Sequence, residues 1–396
     1  MNVTITPTQL KGTITPPPSK SQAHRLIIAN ELAGGGGSIA NLALSQDIEA
    51  TRRCMAALRT PGEELPLLDC GESGSTLRFL IPVALVLRGG GRFTGRGRLM
   101  ERPKKPYFDL FDEKRIFYEQ GDGVLTVRGT LTPGEYRLPG NISSQFFTGL
   151  LYALPLVAGT SRIVPTTTLE SWSYLAMTLE ALDSAGVAVT GPGGEDGFSV
   201  TGPQTYTAGD WTVEADWSQA GFWYAATGIG NAVSVAGMNL NSAQGDRIIG
   251  TWKSGLEQSG DVTLDVSDCP DLVPPLAAWA ALREGTTSLI NAARLRIKES
   301  DRLATVTQVL TALGADVDEE EDCLTIRGRD CLRGGVTVSG HNDHRIAMMA
   351  AVAATRCTAP VTITGAECVA KSYPAFWEDY EKLGGMIRRE EKVETF

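Results

Sequence analysis

The chain has 396 residues, with 36 Lys and Arg against 46 Asp and Glu, so its formal charge is −10. With 42% hydrophobic and 21% charged residues it is composed like an ordinary soluble protein, and its length suggests two or three domains that need no disulfide or metal staples. The acidic balance argues against a nucleic-acid binder, and the longest apolar runs, residues 79–87 and 346–354, fall far short of the ~18 needed to span a bilayer. The opening MNVTITPTQLKG lacks the charged-then-apolar pattern of a secretory signal, so a cytoplasmic protein without membrane contact is expected. The seven cysteines are scattered, form no C-x-x-C and read as reduced thiols. His341 and His344 stand at i, i+3, but no Cys or third His adjoins them, so no metal site is expected.

In chain order, one phrase recurs. A polar opening leads into a dense apolar run, then a turn and a β-like stretch. It begins at Ser19 (SKSQAHRLIIANELAGGGGSIAN), Ser73, Ser143, Ser218, Asp271 and Asp343. From 19 to 73 to 143 the intervals are 54 and 70 residues; from 218 to 271 to 343 they are 53 and 72. The second set follows the first at offsets of 199, 198 and 200 residues, so the chain reads as two similar halves of three units each. A second phrase supports the count. A helix-like stretch, a Gly or acidic turn and an alternating strand end at Gly129 (GDGVLTVRG), Gly202 (EDGFSVTG) and Gly328 (EDCLTIRG). Helices and strands therefore alternate, which predicts an α/β fold. The six apolar runs have no polar stripe, so they should form buried helices walled by sheet. Pro82 and Pro155 should kink or shorten two of them. The DEEED run at 318–322 reads as a solvated turn.

The polar openings carry the chemistry. Helix N-termini attract anions through free N–H groups and the dipole. Here they also carry cations and hydroxyls: Ser19, Lys20, Ser21 and Arg25; then Gly71, Gly74, Ser75 and Arg78; then Ser143, Ser144 and Gln145; then Asp271; then Asp343 and Arg345. Ser and Asp are also ordinary N-caps, and capping accounts for some of them. Residues 92–105 hold Arg92, Arg96, Arg98, Arg102, Lys104 and Lys105 against Glu101, which reads for the most part as a solvated basic loop. Residues 294–302 mix Arg294, Arg296, Lys298 and Arg302 with Glu299 and Asp301. That mixture suits a site that binds an anion and moves a proton, and it equally suits an exposed helix with i, i+4 pairs.

These stretches together resemble the EPSP synthases, the 3-phosphoshikimate 1-carboxyvinyltransferases of the enolpyruvyl transferase family. The resemblance spans essentially the whole chain. It rests on PSKSQAHR (18–25), GESGSTLR (71–78), MERP (100–103), SSQF (143–146), ESWSYL (170–175), PDLVPPLA (270–277), RIKESDR (296–302), NDHRIAM (342–348) and AKSYPAFW (370–377). It implies two domains, each of three β-α-β-α-β-β repeats in an inside-out α/β barrel, with the active site between them. Residues 16–213 would form one domain and 1–15 with 214–396 the other, the chain crossing near Thr15 and Val213.

The implied reaction joins the 5-hydroxyl of shikimate 3-phosphate to phosphoenolpyruvate and releases phosphate. Motif by motif, the resemblance assigns Lys20, Ser21, Arg25, Ser143, Ser144, Gln145, Ser171, Asp271 and Lys298 to shikimate 3-phosphate. It assigns Lys20, Gly74, Arg102, Gln145, Arg302, Arg345 and Lys371 to phosphoenolpyruvate, with Ser75 and Arg78 in support. Asp271 is the expected base for the hydroxyl, Glu299 the acid/base at C3, and Lys20 the aid to the departing phosphate. The two substrates together bring roughly −5 to −6 of charge. Lys20, Arg25, Arg102, Lys298, Arg302, Arg345 and Lys371 supply the cations, and Arg suits such groups because its fork binds them bidentately. No cofactor is implied, and a monomer is expected.

Some positions depart from the family's common pattern: Glu72 and His24 stand where many members have Asn, Pro18 where many have Gly, and Arg294 where some have Asn. Glu72 puts an acid near the implied phosphoenolpyruvate pocket. Two other readings share features with the pattern. One is a UDP-N-acetylglucosamine enolpyruvyl transferase, which typically carries a Cys on a mobile loop; residues 92–102 have none. The other is a non-catalytic repeat protein that binds anionic metabolites.

Overall fold

A computed structural model of the chain describes residues 1–191 and 196–390. Glu195, which opens the phrase EDGFSVTG, lies outside them. The first elements are β1 (Asn2–Thr6), β2 (Lys11–Ile14), α1 (Lys20–Leu32), β3 (Ser38–Ala40), α2 (Gln46–Arg59), β4 (Leu67–Asp69), α3 (Gly74–Arg88) and β5 (Gly90–Thr94). Then come α4 (Lys105–Lys114), β6 (Phe117–Gly121), β7 (Val124–Arg128), β8 (Glu135–Leu138), α5 (Gln145–Ala153), β9 (Gly159–Pro165), α6 (Trp172–Ser184), β10 (Phe198–Gly202) and β11 (Asp210–Thr212). The rest runs α7 (Trp217–Gly228), β12 (Ala232–Val235), α8 (Ile249–Leu256), β13 (Val262–Asp265), α9 (Val273–Ala280), β14 (Thr286–Ile290) and α10 (Arg302–Leu313). It ends with β15 (Asp316–Glu319), β16 (Leu324–Arg327), β17 (Thr337–Ser339), α11 (His344–Ala354), β18 (Val361–Thr364), α12 (Phe376–Lys382) and β19 (Met386–Glu390).

The chain divides into two compact units, a continuous one at Pro18–Glu214 and a split one formed by Met1–Pro17 with Ala215 onward. Each has its own apolar core. One gathers Phe79, Phe146, Leu150 and Tyr152; the other gathers Trp217, Trp279, Met348 and Phe376.

The sheets carry the repeat. In the continuous unit β4 and β5 run parallel, and β7 pairs antiparallel with both β5 and β6. In the split unit β13 and β14 run parallel, and β16 pairs antiparallel with both β14 and β15. A second equivalence links β8, β9 and β10 with β17, β18 and β1: a parallel pair followed by an antiparallel neighbour. There the chain's own N-terminal strand supplies the antiparallel neighbour. The third is the parallel pair β3 with β11, matched by β2 with β12. Spacing in the sequence and strand pairing in space therefore repeat together.

The six apolar runs are α1, α3, α5, α7, α9 and α11. Every residue of α9 and of α11 is buried, and α1 is buried continuously from Ala23 to Asn30. Close packing needs small residues where helices meet. A Cβ on Gly228 of α7 would sit 2.0 Å from Trp279 of α9, and one on Gly149 of α5 would sit 2.6 Å from the Arg78 carbonyl of α3.

The two prolines act differently. Pro155 ends α5 and puts residues Leu154–Leu156 into a 3₁₀ turn. Pro82 lies inside α3, which continues for its full 15 residues. Proline has no N–H to give the Arg78 carbonyl one turn back. The buried Tyr107 hydroxyl reaches that carbonyl instead, its single proton shared between the Arg78 and Phe146 carbonyls, each at 2.9 Å.

Candidate active site

Four of the openings cap their helices through a side chain. Ser19, Ser73, Asp216 and Asp343 accept backbone N–H groups of α1, α3, α7 and α11. For the fourth opening the cap is Asp216, two residues before Ser218. Asp271 is not at a cap position; it lies in the 3₁₀ turn Pro270–Leu272, ahead of α9. Its carboxylate meets the side chains of Arg302 and Arg345.

In the continuous unit, Lys20 at the start of α1 pairs with Asp47 of α2 at 2.8 Å. Arg25, one turn on, is 2% exposed. Its guanidinium donates to Thr178 Oγ1 (2.9 Å), the Ser21 carbonyl (2.6 Å) and the Tyr174 carbonyl (2.8 Å), and lies over Phe79. Burial draws its pKa down to about 10. Arg25 thus ties α1 to α6, and it fixes Ser21 and the Tyr174 backbone.

A second group forms around α3. Arg78 donates to Gln145 Oε1 at 2.7 Å and lies over Phe146, and Gln145 Nε2 donates to Ser75 Oγ at 3.0 Å. Ser143 Oγ accepts the Gln145 N–H. Ser144 is buried beside them, and Ser171 is buried at the head of α6 with φ 58°. Arg102 presses its guanidinium against Gly74, where a Cβ would sit 2.6 Å from Nη1. The basic stretch 92–105 therefore divides. Arg92, Arg96, Arg98 and Lys105 are exposed as expected, but Arg102 and Lys104 are buried. Lys104 donates to the carbonyls of Met100 and Arg102, and burial, with Arg78 and Arg102 adding, lowers its pKa to about 8.

In the split unit, residues 294–302 do not form the exposed helix that was one expectation. Ala293–Ile297 is a 3₁₀ turn, Asp301 caps α10, and Arg302 begins that helix fully buried. Arg302 meets three carboxylates: Asp343 through Nε (2.8 Å), Asp271 through Nη1 (2.8 Å) and Glu299 through Nη2 (2.5 Å). Arg345 donates to the other oxygen of Asp271 (3.0 Å) and to Ser218 Oγ (2.9 Å). Lys371 donates to the Asn342 carbonyl at 2.6 Å. Arg294 is buried and bonds the Ser267 carbonyl.

The electrostatics follow from this packing. Burial would raise the Asp271 pKa, but Arg345, Lys298 and Arg302 outweigh it and hold the carboxyl well below the usual range. Burial lowers Lys298 to about 8, with Arg302 and Arg294 adding and Asp271 opposing. Burial pushes Asp246 up to about 8, with Asp271 and Asp216 adding and Arg345 and Lys298 opposing. One carboxyl ionised and a neighbour protonated near neutrality is the arrangement acid–base chemistry uses.

The structure thus gathers Lys20, Ser21 and Arg25 in one group, Gly74, Ser75, Arg78, Arg102, Ser143 and Gln145 in a second, and Asp271, Lys298, Glu299, Arg302 and Arg345 in a third. Sequence reasoning missed Asp246, Lys104 and Asp47. Asp246 follows Gln244 and Gly245 in a polar stretch, with no helical periodicity to mark it. Asp343, read only as a helix opening, is fully buried between Arg302 and the start of α11.

An α/β chain that repeats its units and lodges buried arginines, lysines and carboxylates at helix openings is built as an enzyme for small, multiply charged anions. The family model described as EPSP synthase (3-phosphoshikimate 1-carboxyvinyltransferase) matches residues 5–380. A 3-phosphoshikimate 1-carboxyvinyltransferase of Clostridium kluyveri is 45% identical over 97% of this chain and 98% of its own length. That of Clostridium beijerinckii is 41% identical over 98% of each. Among solved structures, an EPSP synthase from Acinetobacter baumannii has the same fold, with a TM-score of 0.77 at 23% identity, over 98% of this chain and all of that one. An enolpyruvyl transferase from Streptomyces tendae gives 0.74 at 16% identity, over 98% of each. The chain belongs to the EPSP synthase family.

Proposed function

We propose that this chain transfers the enolpyruvyl group of phosphoenolpyruvate to the 5-hydroxyl of shikimate 3-phosphate, releasing phosphate, on the route to chorismate and the aromatic amino acids. The observation that carries the reading is the Asp271 carboxylate clamped by Arg302 and Arg345, with Glu299 and Lys298 beside it, in a member of this family. The domains are taken as 16–213 and 1–15 with 214–396, within two residues of the compact units. Each is read as an inside-out α/β barrel, a reading supported by its buried helices and the repeated sheet pattern. The protein is taken as a monomer of the cytoplasm; among the described residues no helix is long and apolar enough to cross a membrane.

Lys20, Ser21, Arg25, Ser143, Ser144, Gln145, Ser171, Asp271 and Lys298 serve shikimate 3-phosphate. Arg25 does so mainly by fixing Ser21 and Tyr174, since three of its N–H groups are already engaged. Lys20, Gly74, Arg102, Gln145, Arg302, Arg345 and Lys371 serve phosphoenolpyruvate, with Ser75 and Arg78 holding Gln145. Asp271 takes the 5-hydroxyl proton as the oxygen bonds C2, while Glu299 protonates C3. In the second step the C2–O bond to phosphate breaks, C3 returns its proton to Glu299, and Lys20 stabilises the departing phosphate. A carboxylate held so far down is a poor base in the resting enzyme. Substrate anions that draw Arg345 and Lys298 toward themselves weaken that hold and make Asp271 more basic when it is needed.

The test is phosphate release from phosphoenolpyruvate, with shikimate 3-phosphate and UDP-N-acetylglucosamine as separate acceptors. Release with the first alone is expected. Release with the sugar nucleotide alone would overturn the acceptor assignments, and silence with both from folded protein would overturn the reaction.

A further inference from the structure

Four fully buried side chains of the continuous unit, none used in the mechanism above, form one hydrogen-bonded row. His24 Nδ1 meets Thr51 Oγ1 at 2.7 Å, Thr51 Oγ1 meets Thr76 Oγ1 at 2.6 Å, and Thr76 Oγ1 donates to Ser73 Oγ at 2.7 Å. The row crosses three helices, from α1 through α2 to the N-terminus of α3. Both ends adjoin the binding groups. His24 lies one turn from Lys20 and next to Arg25. Ser73 caps α3, accepting the Thr76 N–H at 3.1 Å, and is followed by Gly74 and Ser75.

The direction of the row can be read. Thr76 spends its only hydroxyl proton on Ser73, so Thr51 must donate to Thr76. Thr51 then has no proton left for His24, so His24 Nδ1 must carry the hydrogen. The opposite sense would put a hydrogen on Nε2, which is buried and has no partner among the described residues, and an orphaned buried donor is among the costliest polar defects. Burial, with Lys20 and Arg25 adding, pushes the imidazole pKa well below its usual value. The ring is therefore neutral, and its single proton has one place to go.

We propose that His24 is a positioning residue for phosphoenolpyruvate: as the Nδ1–H tautomer it fixes the Thr51–Thr76–Ser73 row and with it the start of α3, where Gly74 meets Arg102 and Ser75 meets Gln145. The role in substrate binding rests on the reaction proposed above; the tautomer does not. Shikimate 3-phosphate binding depends on it less, because, of the groups named at the start of α3, it shares only Gln145, which Arg78 also holds, and Arg25 is held by its own three bonds.

Two measurements on the full chain test this. In long-range 1H–15N spectra of histidine-labelled protein, with His24→Asn to assign the signal, His24 shows a protonated Nδ1 and a bare Nε2 from pH 6 to 8. An Nε2–H tautomer or an imidazolium there overturns the proposal. In steady-state kinetics, His24→Leu and Thr51→Val each raise the KM for phosphoenolpyruvate about tenfold, the scale of one buried hydrogen bond, while the KM for shikimate 3-phosphate moves less than about twofold. The double variant is no worse than either single one. His24→Asn, whose amide N–H can take the Nδ1 place, brings the value back to within about twofold of wild type. An unchanged KM in folded His24→Leu, equal rises for both substrates, or additive effects would each overturn it. Should His24→Leu not fold, Thr51→Val and the spectrum decide. Wild-type protein that releases no phosphate would instead overturn the reaction and the phosphoenolpyruvate role with it.

Discussion

Replacing Gly74 by Ala adds one methyl at the first residue of α3. Its Cβ would lie 2.6 Å from Arg102 Nη1, 2.9 Å from Cζ and 3.0 Å from Nη2. Ordinary contact needs roughly 3.5 Å, so the guanidinium must retreat by about 1 Å. The group that moves is the far end of a flexible side chain, so the backbone can stay. Ala is also the better helix former, by about 1 kcal/mol. Stability should hold or rise slightly, within about 4 °C in Tm for a unit of this size. Binding should suffer. A displacement of about 1 Å in a positioning group costs on the order of 10²-fold, and a lost charge-assisted bond costs about 1.5–3 kcal/mol, so the KM for phosphoenolpyruvate should rise about 10- to 100-fold. The KM for shikimate 3-phosphate should stay within about twofold, since Arg102 is not among its contacts. Phosphate release at varied concentration of each substrate, beside a melting curve, measures all three. An unchanged phosphoenolpyruvate KM in a folded Gly74→Ala protein would show that the Arg102 position against Gly74 does not matter for binding.

Three further outcomes follow from the carboxylates. Asp271→Asn should keep the fold and lose turnover by at least about 10²- to 10⁴-fold; single-turnover phosphate release checks it, and near-normal rates would remove Asp271 as the base. Asp343→Ala strips Arg302 of its fully buried partner and α11 of its cap, which should cost about 3–5 kcal/mol, or about 6–20 °C in Tm. A loss of less than about 2 °C by calorimetry would contradict that pairing. Asp246 has a folded pKa raised to about 8, above that of an unfolded Asp. The folded state therefore holds the proton more tightly, and wild-type stability is lost as pH rises toward 8. Asp246→Asn should gain over wild type progressively from pH 5 to 8, by at most ~1.4 kcal/mol per pH unit, and level off beyond. Denaturant midpoints at several pH values measure this, and a gain independent of pH would refute it.

How much of this was legible in the sequence depended on whether the signal was local. The six buried helices were, because their apolar runs recur at matched intervals and end in turns. Pro155 shortened α5 as a helix-breaker should, but Pro82 did not shorten α3. Its missing N–H is offset in part by Tyr107, which lies 25 residues further on and beyond the reach of any local rule. The charged segments failed for the same reason. Lys104 read as surface charge, and residues 294–302 left an exposed helix open beside the binding reading, because their neighbours in sequence are polar. Asp343 lies 41 residues from Arg302, and the burial of Lys104 comes with Arg78 from another segment as well as with the nearby Arg102. Asp246 was invisible because its raised pKa comes from burial and from Asp271, neither of which a short window contains.

The same geometry explains how an acidic chain can bind anions. With a formal charge of −10, the long-range field repels a polyanion. Binding must then come from short-range contacts, where a few cations are desolvated and oriented. Bare buried arginines would cost too much, and several of these cations already have partners: Asp47 for Lys20, the Gln145 amide oxygen for Arg78, Asp271 for Arg345, and three carboxylates for Arg302. Such pairing holds the side chains in place before substrate arrives. It also makes binding an exchange of one anion for another. The exchange differs by residue. Arg345 meets Asp271 at a carboxylate that is 17% exposed, where a substrate oxygen can replace it; Arg302 shares that carboxylate but also meets Asp343, whose carboxylate has no exposure at all. Arg302 is therefore the anchor and Arg345 the exchanging cation. On that division Arg345→Lys should cost mainly substrate affinity, whereas Arg302→Lys should lower stability and activity together, a split that melting curves and KM values taken on the same two proteins would expose.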